Sequence, residues 1–375
     1  MIVSAARVLT PARLLAPGWV HVHRDRVVDV GEGAPPRPPD VDLPDATLVP
    51  GFVDTHVHGG GGASFDEGTA DAAATVVRAH QAHGTTSMVA SLVTDTTDRL
   101  AGALGELALV VDDGGLAGVH LEGPWLSPRR AGAHDPGLLT TPTPREVDAL
   151  VDAGRGHLRM VTLAPELDGG LDAVRRLRGA GVVAAVGHTD ATYDVTRAAL
   201  DAGASVGTHL FNAMRGLHHR EPGPAGALLE HPDAYVELVA DGVHLHPSAL
   251  RMAAHAKPRH TVLVTDAMAA AGAGDGDFRL GTLAVRVRDG VARLDNGAVA
   301  GSTLTMAEAV RHAVRVCGLD LVDVVRAATL TPAEALGLTD VGALEPGRRA
   351  DLVALDADLR VVRVLRQGAW VTHGS

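Results

Sequence analysis

The chain has 375 residues, 46% of them hydrophobic and 21% charged, which suits one large soluble domain with an appendage, or two domains. A net charge of −12 at pH 7 argues against nucleic acid as a partner, although a few local arginines suffice to hold a small phosphate. No apolar run exceeds strand length and the N-terminus lacks a signal peptide's apolar core, so neither a membrane span nor export is expected and the protein reads as cytoplasmic. The single cysteine, Cys317, excludes an intramolecular disulfide and reads as a small buried hydrophobe.

Residues 2–49 read as short β-strands. Strands over 18–23 and 26–30 alternate, with Arg24-Asp25 as a hairpin turn. Pro35-Pro36-Arg37-Pro38-Pro39 is then a stiff extended connection. From residue 48, strand-length apolar runs alternate with helical stretches, the pattern of βα units. The expected strands are 48–58, 86–93, 117–122, 159–164, 182–188, 205–212, 235–241 and 261–266. Helices are expected near 71–83, 98–111, 171–180, 192–202 and 247–255. Such strands are apolar on both faces, and eight of them predict a (β/α)8 barrel of the TIM type over residues 50–344. A β insert is expected near 278–299, with hairpin signals at Asp289-Gly290 and Asn296-Gly297. Helices resume at Thr305, and Thr331-Pro332-Ala333-Glu334 reads as a capping box opening the last barrel-side helix. The tail returns to strands, with Gln367-Gly368 as a turn. Residues 1–49 and 345–375 are expected to combine into one small β-sandwich domain beside the barrel.

The stretch Pro50 to Gly59 organises the chemistry. His56 and His58 are two apart on a strand, so both imidazoles face one way, next to glycines that leave the space open. Such a pair suits a cation such as zinc, but it also suits a hydrogen-bonded or surface pair, which is how His21 and His23 read. The other strand ends decide between these. Glu122 ends strand three, His188 strand five, Asp241 strand seven and Asp266 strand eight, while strand six carries His209. Catalytic groups of such barrels lie at the C-terminal strand ends, and this convergence points to a metal-dependent hydrolase. Many binuclear barrel hydrolases bridge their metals with a carboxylated lysine on strand four. The only lysine here, Lys257, precedes strand eight, so Glu122 is the natural bridging candidate.

The residues resemble the N-acetylglucosamine-6-phosphate deacetylases of the amidohydrolase superfamily. The resemblance is carried by Leu121-Glu122-Gly123-Pro124-Trp125, Gly132-Ala133-His134-Asp135-Pro136, Gly187-His188-Thr189 and Thr208-His209-Leu210-Phe211-Asn212-Ala213-Met214. Arg220-Glu221-Pro222-Gly223, Asp241-Gly242-Val243-His244, Val264-Thr265-Asp266-Ala267 and Ala300-Gly301-Ser302-Thr303 extend it. It implies that Glu122, His188 and His209 hold one metal. Some members lack the His-x-His and hold only that one; His56 and His58 here imply a second, with Glu122 shared. Zinc is the foremost candidate, with iron, manganese or cobalt as alternatives.

The resemblance further implies that Asp266 is general base and then acid, and that His134 hydrogen-bonds the developing oxyanion. Asn212 and Ala213 would contact substrate, as would Ala133, Val299, Ala300 and Gly301. Arg220 and His244 would hold the 6-phosphate of a phosphorylated amino sugar, within a homodimer whose partner chain contributes to that site. Arg215, His218 and His219 lie outside the motif. The expected reaction is hydrolysis of N-acetyl-D-glucosamine 6-phosphate to glucosamine 6-phosphate and acetate. A deacylase of another N-acyl amino sugar or amino acid, and a non-catalytic barrel scaffold, are the other two readings.

Overall fold

The apolar runs pair side by side. In the computed structural model, which describes residues 1–372, eight parallel strands form one curved sheet. In order these are Phe52–Val57, Thr85–Val93, Gly118–Glu122, Leu158–Leu163, Val183–Val186, Val206–Gly207, Tyr235–Val239 and Thr261–Val264. Nearly every residue in them is buried, as a sheet covered on both faces requires. The ring closes between strands eight and one without a regular ladder. Instead the Asp266 N–H donates to the His56 carbonyl (2.9 Å), the His58 N–H donates to the Ala267 carbonyl (2.8 Å), and the Thr265 hydroxyl donates to buried Asp54 (2.6 Å). The fold is the TIM-type barrel expected from the sequence.

The expected helices form at Ala70–Gln81, Thr97–Asp112, Gly170–Gly179, Tyr193–Ala202 and Pro247–Ala256. The side chains of Thr69, Thr96 and Thr192 cap three of them. Two further helices were not expected. Pro144–Ala153 opens with a full capping box, Thr143 to Glu146, a signal present in the sequence. Gly223–Glu230 is apolar all round and shows no helical period to read.

Several boundaries differ from expectation. Residues 48–50 belong to the terminal sheet, and the chain breaks at Gly51 before entering the barrel. Strands five, six and eight stop short, so His188, His209 and Asp266 lie just past them with φ of 44°, 27° and 49°. Side chains rarely adopt that left-handed backbone, and it is found where surroundings over-determine it. Thr331 is no cap: the last short helix is Leu330–Ala335, and Glu334 pairs with Arg326 (2.9 Å). Gly276–Leu280, Leu283–Arg288 and Val291–Arg293 form an antiparallel sheet after strand eight, with Asp289-Gly290 at one turn.

Strands from both chain ends join one eight-stranded sheet, linked where Val41–Pro50 pairs with Ile2–Leu9 on one side and Leu352–Leu355 on the other. It carries its own core, including Val3, Val20, Leu48, Leu352 and Leu365. Gly51 is the pivot between this sheet and the barrel. Its N–H donates to the Asp351 carbonyl (2.9 Å), and a Cβ there would fall 2.1 Å from Thr86 Oγ1. That hydroxyl is buried and has no hydrogen-bond partner among the described residues. Gly51→Ala should therefore destabilise the metal-free protein by ~1–3 kcal/mol in urea unfolding. Adding Thr86→Ala should restore only part of the loss, because the Cβ of residue 86 still lies 2.9 Å from the new one; no loss in the single variant would show a slack junction.

Candidate active site

Strand alternation sets the first part of the site. Asp54, His56 and His58 point to one side of strand one, into the top of the barrel. Glu122 ends strand three, and His188, His209 and Asp266 follow strands five, six and eight. His134 comes from the loop after strand three. All of these side chains are buried.

Glu122 sits at the centre with its two oxygens divided. Oε1 lies 3.1 Å from His188 Nε2 and 2.9 Å from His209 Nε2. Oε2 lies 3.2 Å from His58 Nε2 and 3.3 Å from His134 Nε2. Asp266 Oδ1 is 3.3 Å from His58 Nε2 and 3.6 Å from His56 Nε2. His134 plays a different part from the others. Its Nδ1 accepts from the Thr94 N–H (3.3 Å), so Nε2 carries the proton and is a donor into the site.

The charges lean on one another. Burial works against the Glu122 carboxylate, yet His56, His134 and His188 hold it well below the usual carboxylate range. Burial also opposes a charge on His56, but Glu122 and Glu237 raise it well above the usual imidazole range. His58, hydrogen-bonded to Asp266 and Glu122, is pushed up to about 9 against the same penalty. Asp266 is held far below its ordinary value by His58 and His56, again despite burial.

These groups fit divalent cations. One set is His56, His58 and Asp266; in the other, Glu122 and His188 lie with His134, each set with its donor atoms within 4.8 Å, and the Nε2–H of His134 makes it a hydrogen-bond donor beside that second set rather than a ligand in it. His209 belongs with the second set by its 3.0 Å approach to His188. In both sets imidazole nitrogens face each other at hydrogen-bond distance, 3.1 Å for His56 and His58. Lone pairs converge this closely around protons or around a cation. Imidazoles and carboxylates without thiolates suit a catalytic divalent ion. Lys257 is far off, its ammonium on the His231 and Pro232 carbonyls.

A cavity of about 340 Å³ opens beside the cluster. Of the residues expected to touch substrate, Ala133, His134, Asn212, Ala213, His244, Val299 and Gly301 line it. His244 Nδ1 donates to Asp241 (2.6 Å), and its Nε2 lies 3.6 Å from Asp266 Oδ2. Gly301 has φ +66°, and a Cβ there would fall 2.9 Å from the Asp266 carbonyl. Two expected residues are not brought to the cavity: Ala300 is buried behind it, and Arg220 lies exposed on a hairpin, its guanidinium on His219 (2.8 Å). Arg129 and Arg130 line the mouth instead, and Asp190 ties Arg130 and Arg215 together (2.8 and 3.1 Å).

Sequence reasoning missed three buried groups behind the ligands. Asp54, pushed up to about 7 by burial against hydrogen bonds from Thr265, braces the barrel closure. Glu237 accepts from His56 Nδ1 (3.0 Å), and His120 bridges Ser91 and Thr162 (2.9 Å each). Glu237 was visible as a lone polar residue inside an apolar strand, whereas Asp54 and His120 share their strands with His56 and Glu122.

The sequence pattern of the Amidohydrolase family matches residues 47–372. A protein from Escherichia coli O157:H7 named N-acetylgalactosamine-6-phosphate deacetylase is 40% identical over 96% of this chain and 98% of its own length. An N-acetylglucosamine-6-phosphate deacetylase from Vibrio furnissii is 37% identical over 86% of this chain and 82% of its own. The N-acetyl-D-glucosamine-6-phosphate deacetylase of Mycobacterium smegmatis, solved as a mutant in complex with N-acetyl-D-glucosamine-6-phosphate, superposes with a TM-score of 0.97 at 52% identity, covering 100% of this chain and 99% of that one. Matched over most of its length by the family pattern and by these relatives, the chain belongs to the amidohydrolase family.

Proposed function

We propose that the protein hydrolyses the acetamide of N-acetyl-D-glucosamine 6-phosphate, giving D-glucosamine 6-phosphate and acetate. The observation that carries this reading is the cavity beside Glu122. It joins two candidate cation sets, a protonated His134 Nε2 and an ionised Asp266, in a chain 52% identical to an enzyme solved with that sugar phosphate. The relative named for the galactosamine epimer favours a second reading, in which the N-acetylgalactosamine 6-phosphate is the preferred substrate.

His56, His58, Glu122, His188 and His209 would hold one or two divalent cations, zinc foremost and iron, manganese or cobalt also suited, whose chemistry is to acidify water and polarise a carbonyl. Asp266 takes the proton from the attacking water. The His134 Nε2–H donates to the acetamide oxygen as negative charge builds there, and burial keeps that hydrogen bond strong. Asp266 then passes its proton to the departing nitrogen, because an amide anion is too poor a leaving group. Asn212, Ala213, Val299 and Gly301 shape the sugar site. Burial opposes a charge on His244, but Asp241 and Asp266 raise its basicity, which suits it to a phosphate. Arg220 would complete that phosphate site in the cavity of a second copy within a homodimer. Its exposed hairpin, beside an exposed Leu217, supports that placement.

Purified, metal-loaded protein should release acetate from N-acetylglucosamine 6-phosphate, and Asp266→Asn should lower kcat ~10²–10⁴-fold. Equal kcat/KM for the unphosphorylated sugar would remove the phosphate assignment, and a higher value for the galactosamine epimer would select the second reading. Arg220→Ala should raise KM for the phosphorylated sugar ~10-fold or more while kcat changes little, the mark of a lost binding contact. An unchanged KM would take Arg220 out of the site. Cation uptake must displace the protons that His56 and His58 hold in the metal-free site. Apparent affinity should therefore rise with pH through neutrality and up to about 9, where His58 gives up its proton unaided. Titration calorimetry in buffers of different ionisation enthalpy checks this; no proton release at pH 7 would contradict it.

A further inference from the structure

We propose that Glu237 is a positioning residue that fixes His56 for a cation held by His56, His58 and Asp266, and so sets whether the chain carries one cation or two. This rests on the reading that the two sets around Glu122 hold cations.

Glu237 is the one acidic residue of strand seven, Tyr235–Val239, and is 1% exposed. Its Oε2 lies 3.0 Å from His56 Nδ1 and also accepts from the His209 backbone N–H at 3.3 Å. Its other oxygen, Oε1, has no hydrogen-bond partner among the described residues. His56 is thus the only side chain hydrogen-bonded to it there. A carboxylate can only accept, so the proton of a neutral His56 must sit on Nδ1. Its Nε2 is left with a lone pair, and that is the atom facing His58, Asp266 and Glu122. Glu237 also places a negative charge directly behind the ring, which makes it a stronger ligand.

The four candidate histidines differ in this respect. His188 Nδ1 donates to the Arg130 carbonyl at 2.8 Å. The Nδ1 atoms of His58 and His209 have no partner among the described residues. Each set therefore contains one imidazole anchored from behind. The His188 anchor is main chain and survives any substitution at Arg130. The His56 anchor is a side chain. Occupancy of the His56 set consequently depends on the residue at 237 through a ligand's own ring nitrogen, while the His188 set meets Glu237 only at the His209 main-chain N–H, 3.3 Å away.

If Glu237 merely stitched strands one and seven together, its loss would lower the stability of the metal-free protein and leave cation binding alone. The two cases separate in a cobalt titration of chelator-stripped protein, followed by elemental analysis and the visible cobalt spectrum. Wild type is expected to take up two cobalt ions per chain. Glu237→Leu should keep one at wild-type affinity and bind the other ~10–100-fold more weakly. Glu237→Asp, whose shorter carboxylate withdraws from Nδ1, should show the same loss and carries the test if the leucine variant does not fold. Glu237→Gln, whose amide oxygen can still accept from Nδ1, should recover much of the affinity. Two cobalt ions at unchanged affinity in either folded Leu or Asp variant would overturn the role of Glu237. One cobalt ion in wild type would overturn the two-cation reading on which it stands.

Discussion

Everything in this molecule depends on one shared carboxylate. Glu122 is 3% exposed and turns one oxygen to His188 and His209 and the other to His58 and His134. A buried carboxylate with no compensating charge is costly by several kcal/mol. Here the compensation comes from histidines on strand one, after strands five and six, and in the loop after strand three, so the barrel must bring these elements together at this point. The same carboxylate divides the imidazoles into two groups, and that division is what makes two cation positions, with one shared ligand, the natural reading of the site.

Closure is achieved by irregular means. The strands before His188, His209 and Asp266 end early, and those residues take left-handed backbone conformations that turn their side chains inward. Between strands eight and one, Thr265, Asp54 and two main-chain bonds replace a ladder. Strain of this kind persists only where neighbours hold it, and it recurs at functional sites. The result is a buried shell in which Asp266 is held ionised beside the cavity. Its partners His58 and His244 face its two different oxygens, which suits the proposed role of accepting a proton and then delivering it.

Much of this was legible in the sequence. Alternating runs gave the barrel strands, and lone histidines and carboxylates at their ends gave the members of the cluster. The hidden parts have physical reasons. Strand ends could not be placed at 186, 207 and 264, because the buried polar residues that follow, His188, Thr208, His209, Thr265 and Asp266, read as the last residues of each strand, and the left-handed backbone of His188, His209 and Asp266 carries no sequence signal. Gly223–Glu230 has no polar face, so no helical period marks it. Thr331-Pro332-Ala333-Glu334 has the composition of a cap but lies inside a helix, where Glu334 serves Arg326 instead. Glu237 reads as an oddity in an apolar strand, and only three-dimensional pairing gives it and Asp54 work. Arg220 shows the opposite limit: its motif is clear in sequence, yet within one chain it stands away from the cavity.

The central claim is that Glu122 is shared between two cations. The most direct measurement is anomalous diffraction from crystals of zinc- or cobalt-loaded protein. Two anomalous peaks ~3.5–4 Å apart, both within bonding distance of Glu122, are the expected result. One peak must lie toward His56 and His58 and the other toward His188 and His209. Peaks that leave Glu122 uncoordinated, or none in the barrel mouth, would contradict the account.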